Sequence, residues 1–146
     1  MIYRNLHTSL MRFCVDMAQQ WTENTPTFLN FDASGDEHQL PKADVIGILG
    51  LSLDLDDHLF TGTVQLGYST WDDTNLFRLV ERVDTLLELL KPSNKLPIYD
   101  STNSGDTLKG WVVVENGTRV LPVVRGVTRP IQFIAVRFAS TSTFTL

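Results

Sequence analysis

The hydrophobic period of the sequence changes twice, and this alternation is the feature that most limits the folds open to the chain. Apolar residues recur at spacings of three and four from roughly Ile2 to Trp21, the period of an amphipathic helix. They alternate with polar residues from Ala43 to Thr70, the period of two that is typical of strands. The helical period returns from about Asn75 to Leu90 and stops before Pro92. The pattern predicts an α+β domain.

The strand segment is predicted to be a hairpin, because Asp56-Asp57-His58 supplies turn-forming residues between its two halves. In the first strand, strict alternation puts five apolar side chains on one face: Val45, Leu49, Leu51, Leu53 and Leu55. It puts Ile46 and Ile48 on the other face, so we expect the sheet to be apolar on both sides there. A short strand, Thr27 to Phe31, and a polar loop, Ala33 to Lys42, precede the hairpin.

The second helix has the clearest start and stop signals. Asp72-Asp73-Thr74 places capping side chains and negative charge before its first turn. Its apolar face is predicted to comprise Leu76, Leu79, Val80, Val83, Leu86, Leu87 and Leu90. We expect a long polar loop from Lys91 to Leu108, a kind of connection that often serves in binding.

The C-terminal part is again rich in strand signals. Asn116-Gly117 separates two β-branched segments between Trp111 and Leu121, which predicts a hairpin with a type I′ turn. The last strand runs from Ile131 to Phe138. The order α-β-β-β-α-β-β-β predicts a mixed or antiparallel sheet of about five to six strands packed against two α-helices. Because no repeat or long linker divides the chain, residues 1–146 are expected to form one domain.

The composition is that of an ordinary globular protein, with 42% hydrophobic and 20% charged residues. Neither a signal peptide nor an apolar run of membrane-spanning length is recognisable, so we expect synthesis in a reducing cytoplasm and no membrane partner. The net charge of −5 disfavours sequence-specific binding of nucleic acid.

The charge is unevenly distributed along the chain. Residues 1–90 carry 5 Lys or Arg against 14 Asp or Glu, a net of −9, and residues 91–146 carry 7 against 3, a net of +4. Two interpretations are open. The division is either a chance distribution of solvated charges or a sign that an acidic surface meets the basic surface of a neighbouring subunit.

The sequence contains no recognisable catalytic or cofactor motif. Gly47-Ile-Leu-Gly50 lacks the lysine of a phosphate-binding loop, and Cys14 lies on the apolar stripe of the first helix. We therefore expect a protein that is not an enzyme and holds no cofactor. One alternative is a divalent metal site at the hairpin turn, formed by Asp54, Asp56, Asp57 and His58. A weaker cluster comprises Asp36, Glu37 and His38.

The only concentration of basic residues comprises Lys109, Arg119, Arg125, Arg129 and Arg137. Alternating strands would place them along one face, although solvated or ion-paired arginines are the commoner arrangement. Trp111 precedes them and fits either a core or a subunit contact. The interface residues that we predict are Trp111, Arg119, Arg125 and Arg129.

Five segments together carry a resemblance to a known family: Leu6–Trp21, Ala43–Leu49, Thr61–Tyr68, Trp71–Val80 and Ile131–Phe138. In that order they are similar to the N-terminal helix, the two strands of a hairpin, the start of a second helix and a closing strand of the tail terminator proteins of long-tailed bacteriophages. The resemblance extends over nearly the whole chain. It is one of pattern and assigns no role to an individual residue.

The resemblance implies a structural virion protein whose subunits form a hexameric ring on the tail tube. The ring would stop tube elongation and present a surface for head joining. The implied partners are further copies of the chain, the tail tube protein and the head–tail connector protein. The implied location is the tail or neck of the virion, after synthesis in the host cytoplasm. A neck or head-completion protein remains an alternative, as does the small metal-dependent domain.

Overall fold

The computed structural model describes residues 2–34, 40–56, 59–102, 107–125 and 129–141. In this part of the chain the helices are α1 (Ile2–Ala18), the single-turn α2 (Phe31–Ser34) and α3 (Phe77–Leu89), with a 3₁₀ turn at Thr74–Leu76. The strands are β1 (Thr27–Asn30), β2 (Val45–Asp56), β3 (Leu59–Ser69), β4 (Lys95–Tyr99), β5 (Leu108–Val114), β6 (Arg119–Val120), β7 (Val124–Arg125) and β8 (Pro130–Ser140).

The strands form one curled sheet in the order β1-β2-β3-β8-β5-β4. β1 and β2 are parallel, whereas the other pairings are antiparallel. α1 and α3 pack on the same side, which we call the inner face, and share one hydrophobic cluster with the strands. The α+β class and the mixed sheet that the sequence predicts are therefore confirmed.

The first helix ends three residues earlier than its apolar period indicates. Beyond Ala18 the backbone tightens, because Gln20 and Trp21 donate to carbonyl groups three residues back rather than four. Trp21 leaves the helix and packs edge-on against Tyr68, with ring centroids 5.8 Å apart. No helix of the described residues is long and apolar enough to cross a membrane.

A β-bulge at Gly50 overturns the predicted faces of β2. Leu49 pairs with Gln65, whereas Ser52 pairs with Thr63, so β2 contains one extra residue in this interval. Gly50 has φ 66°, a conformation that glycine adopts readily, and its N–H donates to Oδ2 of Asp32 in α2 (2.9 Å).

The extra residue reverses the alternation of side chains along the strand. Leu51 and Leu53 therefore pack in the inner cluster with Ile46 and Ile48, while Val45 and Leu49 face the other way. We call that opposite side of the sheet the outer face. The sequence-based prediction grouped Leu51 and Leu53 with Val45, and it was wrong because strict alternation cannot continue through a bulge.

The predicted Asn116-Gly117 hairpin is also absent. β5 pairs with residues 138–140 of β8, β6 with residues 134–135, and β7 with residues 130–131. The segment from β5 to β7 is thus one interrupted strand that runs antiparallel to β8 throughout. Asn116 and Gly117 lie in an interruption of this strand rather than at a reversal, since Glu115 N–H already donates to Arg137 O (2.8 Å).

The long loop predicted between the second helix and the C-terminal strands contains β4. Leu96 and Ile98 point inward and are buried, 7% and 1% exposed. Pro97 lies between them on an edge strand, where the missing N–H breaks no ladder bond. The N–H of Tyr99 is taken up by Ser9 Oγ of α1 (2.9 Å), so α1 closes this edge of the sheet.

The start of α3 confirms part of its predicted cap. Asp73 accepts hydrogen bonds from the backbone N–H groups of Arg78 (3.2 Å) and Leu79 (2.9 Å). The helix begins at Phe77 rather than Asn75, because Asn75 and Leu76 have left-handed backbone angles, φ 63° and 60°. Val80 was assigned to the apolar face but is 61% exposed.

A small second cluster covers one end of the outer face. It joins Phe31 of α2, Leu40, Val45 and Phe133 of β8. The rings of Phe31 and Phe133 meet edge to face at 5.4 Å. Gly67 is required beneath them, since a Cβ at this position would lie 2.5 Å from the Phe133 ring. The expectation of apolar side chains on both faces is therefore confirmed at this end.

Candidate interaction surfaces

The other end of the outer face is polar and has a groove in it. Small or polar side chains alternate outward along β3 and β8 here, because their neighbours in sequence are committed to the inner core. The groove has a volume of about 300 Å³. The outward-facing positions that line it are Gly50, Thr63, Gln65, Gly117, Arg119, Ala135 and Arg137. We call it the outer groove.

Two arginines stand at the rim of the outer groove. Arg119 pairs with Ala135 across the strands, and Arg137 is the next outward residue along β8, so their side chains are diagonal neighbours on one face. Both residues are exposed. Among the described residues, neither guanidinium has a hydrogen bond or an ion pair. The groove therefore presents two available cations beside a floor of small side chains.

Acidic residues lie on the same face beside the outer groove. Asp54 and Asp56 of β2 are exposed and point outward, and Asp54 and Glu115 line a smaller pocket of about 80 Å³ together with Arg137. Asp57 and His58, the other half of the predicted metal cluster, lie outside the described residues, as do Asp36, Glu37 and His38. Within the described part of the chain, no group of three or more His, Cys, Asp or Glu residues could hold a metal ion.

The outward surface of α3 combines an exposed aromatic side chain with acidic ones. Phe77 is 74% exposed, the highest value among the large hydrophobic residues of the described chain, and Val80 is 61% exposed. Glu81 and Asp84 follow on the same stripe at helical spacing and are exposed. We call Phe77, Val80, Glu81 and Asp84 the α3 knob. In the sequence, Phe77 stands outside the predicted apolar face of the helix and shares its stripe with Glu81 and Asp84.

A buried polar network lies where β3 meets α3. The carboxylate of Asp44 accepts from Tyr68 Oη (2.9 Å), Trp71 N–H (2.9 Å) and Arg78 Nε (2.8 Å). Arg82 Nη1 donates to Tyr68 Oη (2.7 Å) and the Arg82 guanidinium stacks over the Trp21 ring at 4.5 Å. Sequence reasoning missed this network because its members are far apart in the chain.

The electrostatics of the network follow from its partners. Burial raises the pKa of Asp44, but the hydrogen bonds from Arg78, Trp71 and Tyr68 outweigh burial and hold this pKa below its ordinary value. Burial, and then the neighbouring Asp44 charge, raise the pKa of Tyr68. Both groups therefore keep their ordinary neutral-pH states, Asp44 charged and Tyr68 neutral, which indicates a structural arrangement.

Arg129, one of the predicted interface residues, lies inside the protein and is 4% exposed. Its guanidinium donates to Ser69 Oγ (2.7 Å) and to the carbonyl groups of Pro41 (2.6 Å) and Ala43 (2.5 Å). It ties the segment before β2 to the end of β3. The Arg129 guanidinium is therefore already hydrogen-bonded within its own chain.

The remaining predicted residues do not gather at one place. Trp111 is 40% exposed on β5 but does not line the outer groove. Arg125 belongs to β7, and its side chain lies outside what the structure describes. Cys14 is buried, and burial raises the pKa of its thiol to about 12, so it is inert at neutral pH. Of the four predicted interface residues, the structure places Arg119 at the outer groove.

A second concave region lies between α1 and β4. It has a volume of about 240 Å³, and its lining includes Phe13, Met17 and Leu89. The Arg12 guanidinium sits 4.0 Å from the centroid of the Tyr99 ring at its rim. Because these residues lie where the helices pack against the edge strand, the region is explained by packing.

Comparison with known proteins adds information about the fold. No protein-family model matches the sequence, and no curated protein matches it either. Among solved structures, one protein whose name states no function has a TM-score of 0.59 over 95% of both chains, at 13% identity. At this identity the similarity shows a shared fold and carries no functional conclusion.

Proposed function

We propose that the chain is a ring-forming structural subunit of the tail terminator kind, which caps a phage tail tube, stops its elongation and offers a surface for head joining. One observation carries the proposal: the α3 knob has two exposed carboxylates beside Phe77, and the outer groove has two exposed arginines at its rim, so one chain offers both halves of a contact between copies. Phe77 is 74% exposed and Arg119 and Arg137 are available to a partner.

Two further points support the proposal. The order of a first amphipathic helix, a short strand, a hairpin, an apolar helix and closing strands agrees with the pattern that the resemblance implies. Phe77 and Val80 lie next to each other on the exposed stripe of α3, and aromatic residues are enriched at protein interfaces relative to the rest of the surface. The proposal includes the expectation that the chain is not an enzyme and acts in the virion tail or neck.

The experiment adds the purified protein to tail tube protein encoded in the same genome while the tube polymerises. Tubes are expected to become shorter as the protein is added, with density at one end in negative-stain images. Phe77→Ser serves as a matched variant that loses part of the α3 knob. Tubes of unchanged length, with no protein bound at their ends, would contradict the proposal.

The same preparation separates the alternatives. Binding to the portal assembly and not to the tube would identify a head-completion protein. A melting temperature that rises with divalent cations and falls with EDTA would instead favour the metal-dependent domain.

A further inference from the structure

We propose that the α3 knob of one copy docks into the outer groove of a second copy, so that the chain assembles head to tail. Phe77 enters the groove, and Glu81 and Asp84 meet Arg119 and Arg137 at its rim. The inference rests on the self-assembly contained in the proposed function, but not on what the assembly caps.

The outer groove has room for an apolar side chain. The outer groove holds about 300 Å³, enough for one aromatic side chain, and its floor consists of Gly50, Ala135 and the outward parts of Thr63 and Gln65. Small residues leave room that a large side chain from elsewhere can fill. Phe77 is the most exposed large hydrophobic residue of the described chain. Docking of its side chain in the groove therefore removes a large apolar surface from water.

Charged side chains accompany Phe77 on α3 and flank the outer groove. Glu81 and Asp84 are four and seven residues after Phe77, on the same stripe of α3. Arg119 and Arg137 are diagonal neighbours across paired strands. Among the described residues none of these four side chains has an ion-pair partner, although Glu88, one turn further along α3, is paired with Lys91. In the proposed contact these four side chains pair between copies.

The backbone before α3 sets the direction in which the α3 knob projects. Asp72, Asn75 and Leu76 have φ angles of 58°, 63° and 60°, in the left-handed region that L residues disfavour. This turn holds Leu76 against the core and turns Phe77 outward at the first position of the helix. Of the three, Leu76 carries the strain, because Asp and Asn adopt this conformation more readily, and this turn fixes the direction in which Phe77 projects.

The positions of the two surfaces determine the kind of assembly. The α3 knob belongs to the helix layer on the inner face, and the outer groove lies on the opposite face of the sheet. One chain therefore carries one knob and one groove that cannot contact each other. Such a contact repeats from copy to copy and closes into a ring when the rotation between copies allows it.

Mixing two defective variants tests this arrangement. Phe77→Ser lacks the knob, and the double variant Arg119→Glu/Arg137→Glu lacks the groove charge. Each alone is expected to lose at least about tenfold in self-association, measured by analytical ultracentrifugation. Their equimolar mixture is expected to form 1:1 dimers and nothing larger, because one intact knob and one intact groove remain.

Exchanging the charges of Glu81 and Arg137 provides a second test of the contact. Glu81→Arg and Arg137→Glu are each expected to weaken association about fivefold, because each removes one attraction and adds one like-charge repulsion, and the two together in one chain should recover most of it. Leu55→Ser removes a 62% exposed apolar side chain elsewhere and should change nothing. Circular dichroism melting confirms that each variant is folded.

The outcomes separate this inference from the proposed function. A wild-type chain that stays monomeric both alone and on tube ends, or a mixture that forms no dimer, overturns the inference. A chain that assembles through this contact but never binds tube protein overturns the tube-capping role and leaves the contact in place.

Discussion

Three arginines, Arg78, Arg82 and Arg129, fasten irregular segments to one end of the sheet. Arg78 and Arg129 hold the segment before β2, and Arg82 donates to the carbonyl groups of Glu23 (2.6 Å) and Asn24 (3.3 Å) after α1. Each planar guanidinium meets several acceptors at once, which lysine cannot do. Because the acceptors are mostly backbone carbonyl groups, no residue type in the sequence marks them. For the same reason the sequence could not separate Arg129 from the exposed Arg119.

Replacing Asp44 by Asn tests the network at the scale of one residue. Asp44 is 3% exposed, and the substitution removes the charge that pairs with Arg78 while leaving that guanidinium largely buried. We expect the free energy of unfolding at pH 7, measured by urea denaturation, to fall by about 3 kcal/mol. Asp16→Asn, at a 65% exposed side chain, should change it by less than about 0.5 kcal/mol.

Acid should remove the difference between the wild type and Asp44→Asn. The folded-state pKa of Asp44 is lowered, so its contribution to stability is present above the unfolded value of about 3.9 and is lost as pH falls through the folded value. The two unfolding free energies are therefore expected to converge below about pH 4. A difference that stays constant down to pH 2 would show that the carboxylate charge plays no part.

At the scale of elements, the periods in the sequence identified α1, α3, β2, β3 and β8, whose buried faces are long enough to leave a pattern. The same periods did not predict the segments whose structure depends on the strand with which they pair. β4 is five residues long and contains a proline, and Asn116-Gly117 is compatible with a bulge as well as with a hairpin. Pairing with β8, which follows later in the chain, decides whether Asn116-Gly117 forms a bulge or a hairpin.

Deleting Gly50 tests the bulge in β2. Without the extra residue, Leu51 and Leu53 would turn to the outer face and Ser52 and Asp54 would turn into the core. We expect this variant to be insoluble or unfolded in circular dichroism. Gly50→Ala keeps the residue count and, with φ 66° and open space around a Cβ, should cost only about 1 kcal/mol. A folded, stable deletion variant would show that the bulge is dispensable.

At the scale of the whole molecule, the net charges of −9 in residues 1–90 and +4 in residues 91–146 do not become two oppositely charged sides of the protein. Arg78, Arg82 and Arg129 are engaged internally. The outer face carries both signs of charge, since Asp54 and Asp56 share it with Arg119 and Arg137, whereas Glu81 and Asp84 are exposed on α3. The sequence predicted Arg119 and included Arg137 among its basic residues. It did not predict the α3 knob, since the exposure of Phe77 depends on the left-handed turn before it.

Salt provides a test of how these charges act together. Exposed ion pairs contribute about 0.5 kcal/mol each, so two pairs between copies correspond to about a fivefold change in the dissociation constant. The Debye screening length falls from about 10 Å at 0.1 M to about 3 Å at 1 M ionic strength. We therefore expect wild-type self-association to weaken about fivefold over this range, as measured by sedimentation.

The double variant Glu81→Gln/Asp84→Asn keeps Phe77 and removes only the charge of the α3 knob. It should associate about fivefold more weakly than the wild type at low salt and respond little to added salt. At high salt the two proteins should become equal, because the contact that remains to both is the apolar one at Phe77. If the wild type instead associates more tightly as salt rises, and the double variant matches it throughout, the contact between copies is apolar and the rim charges do not contribute to it.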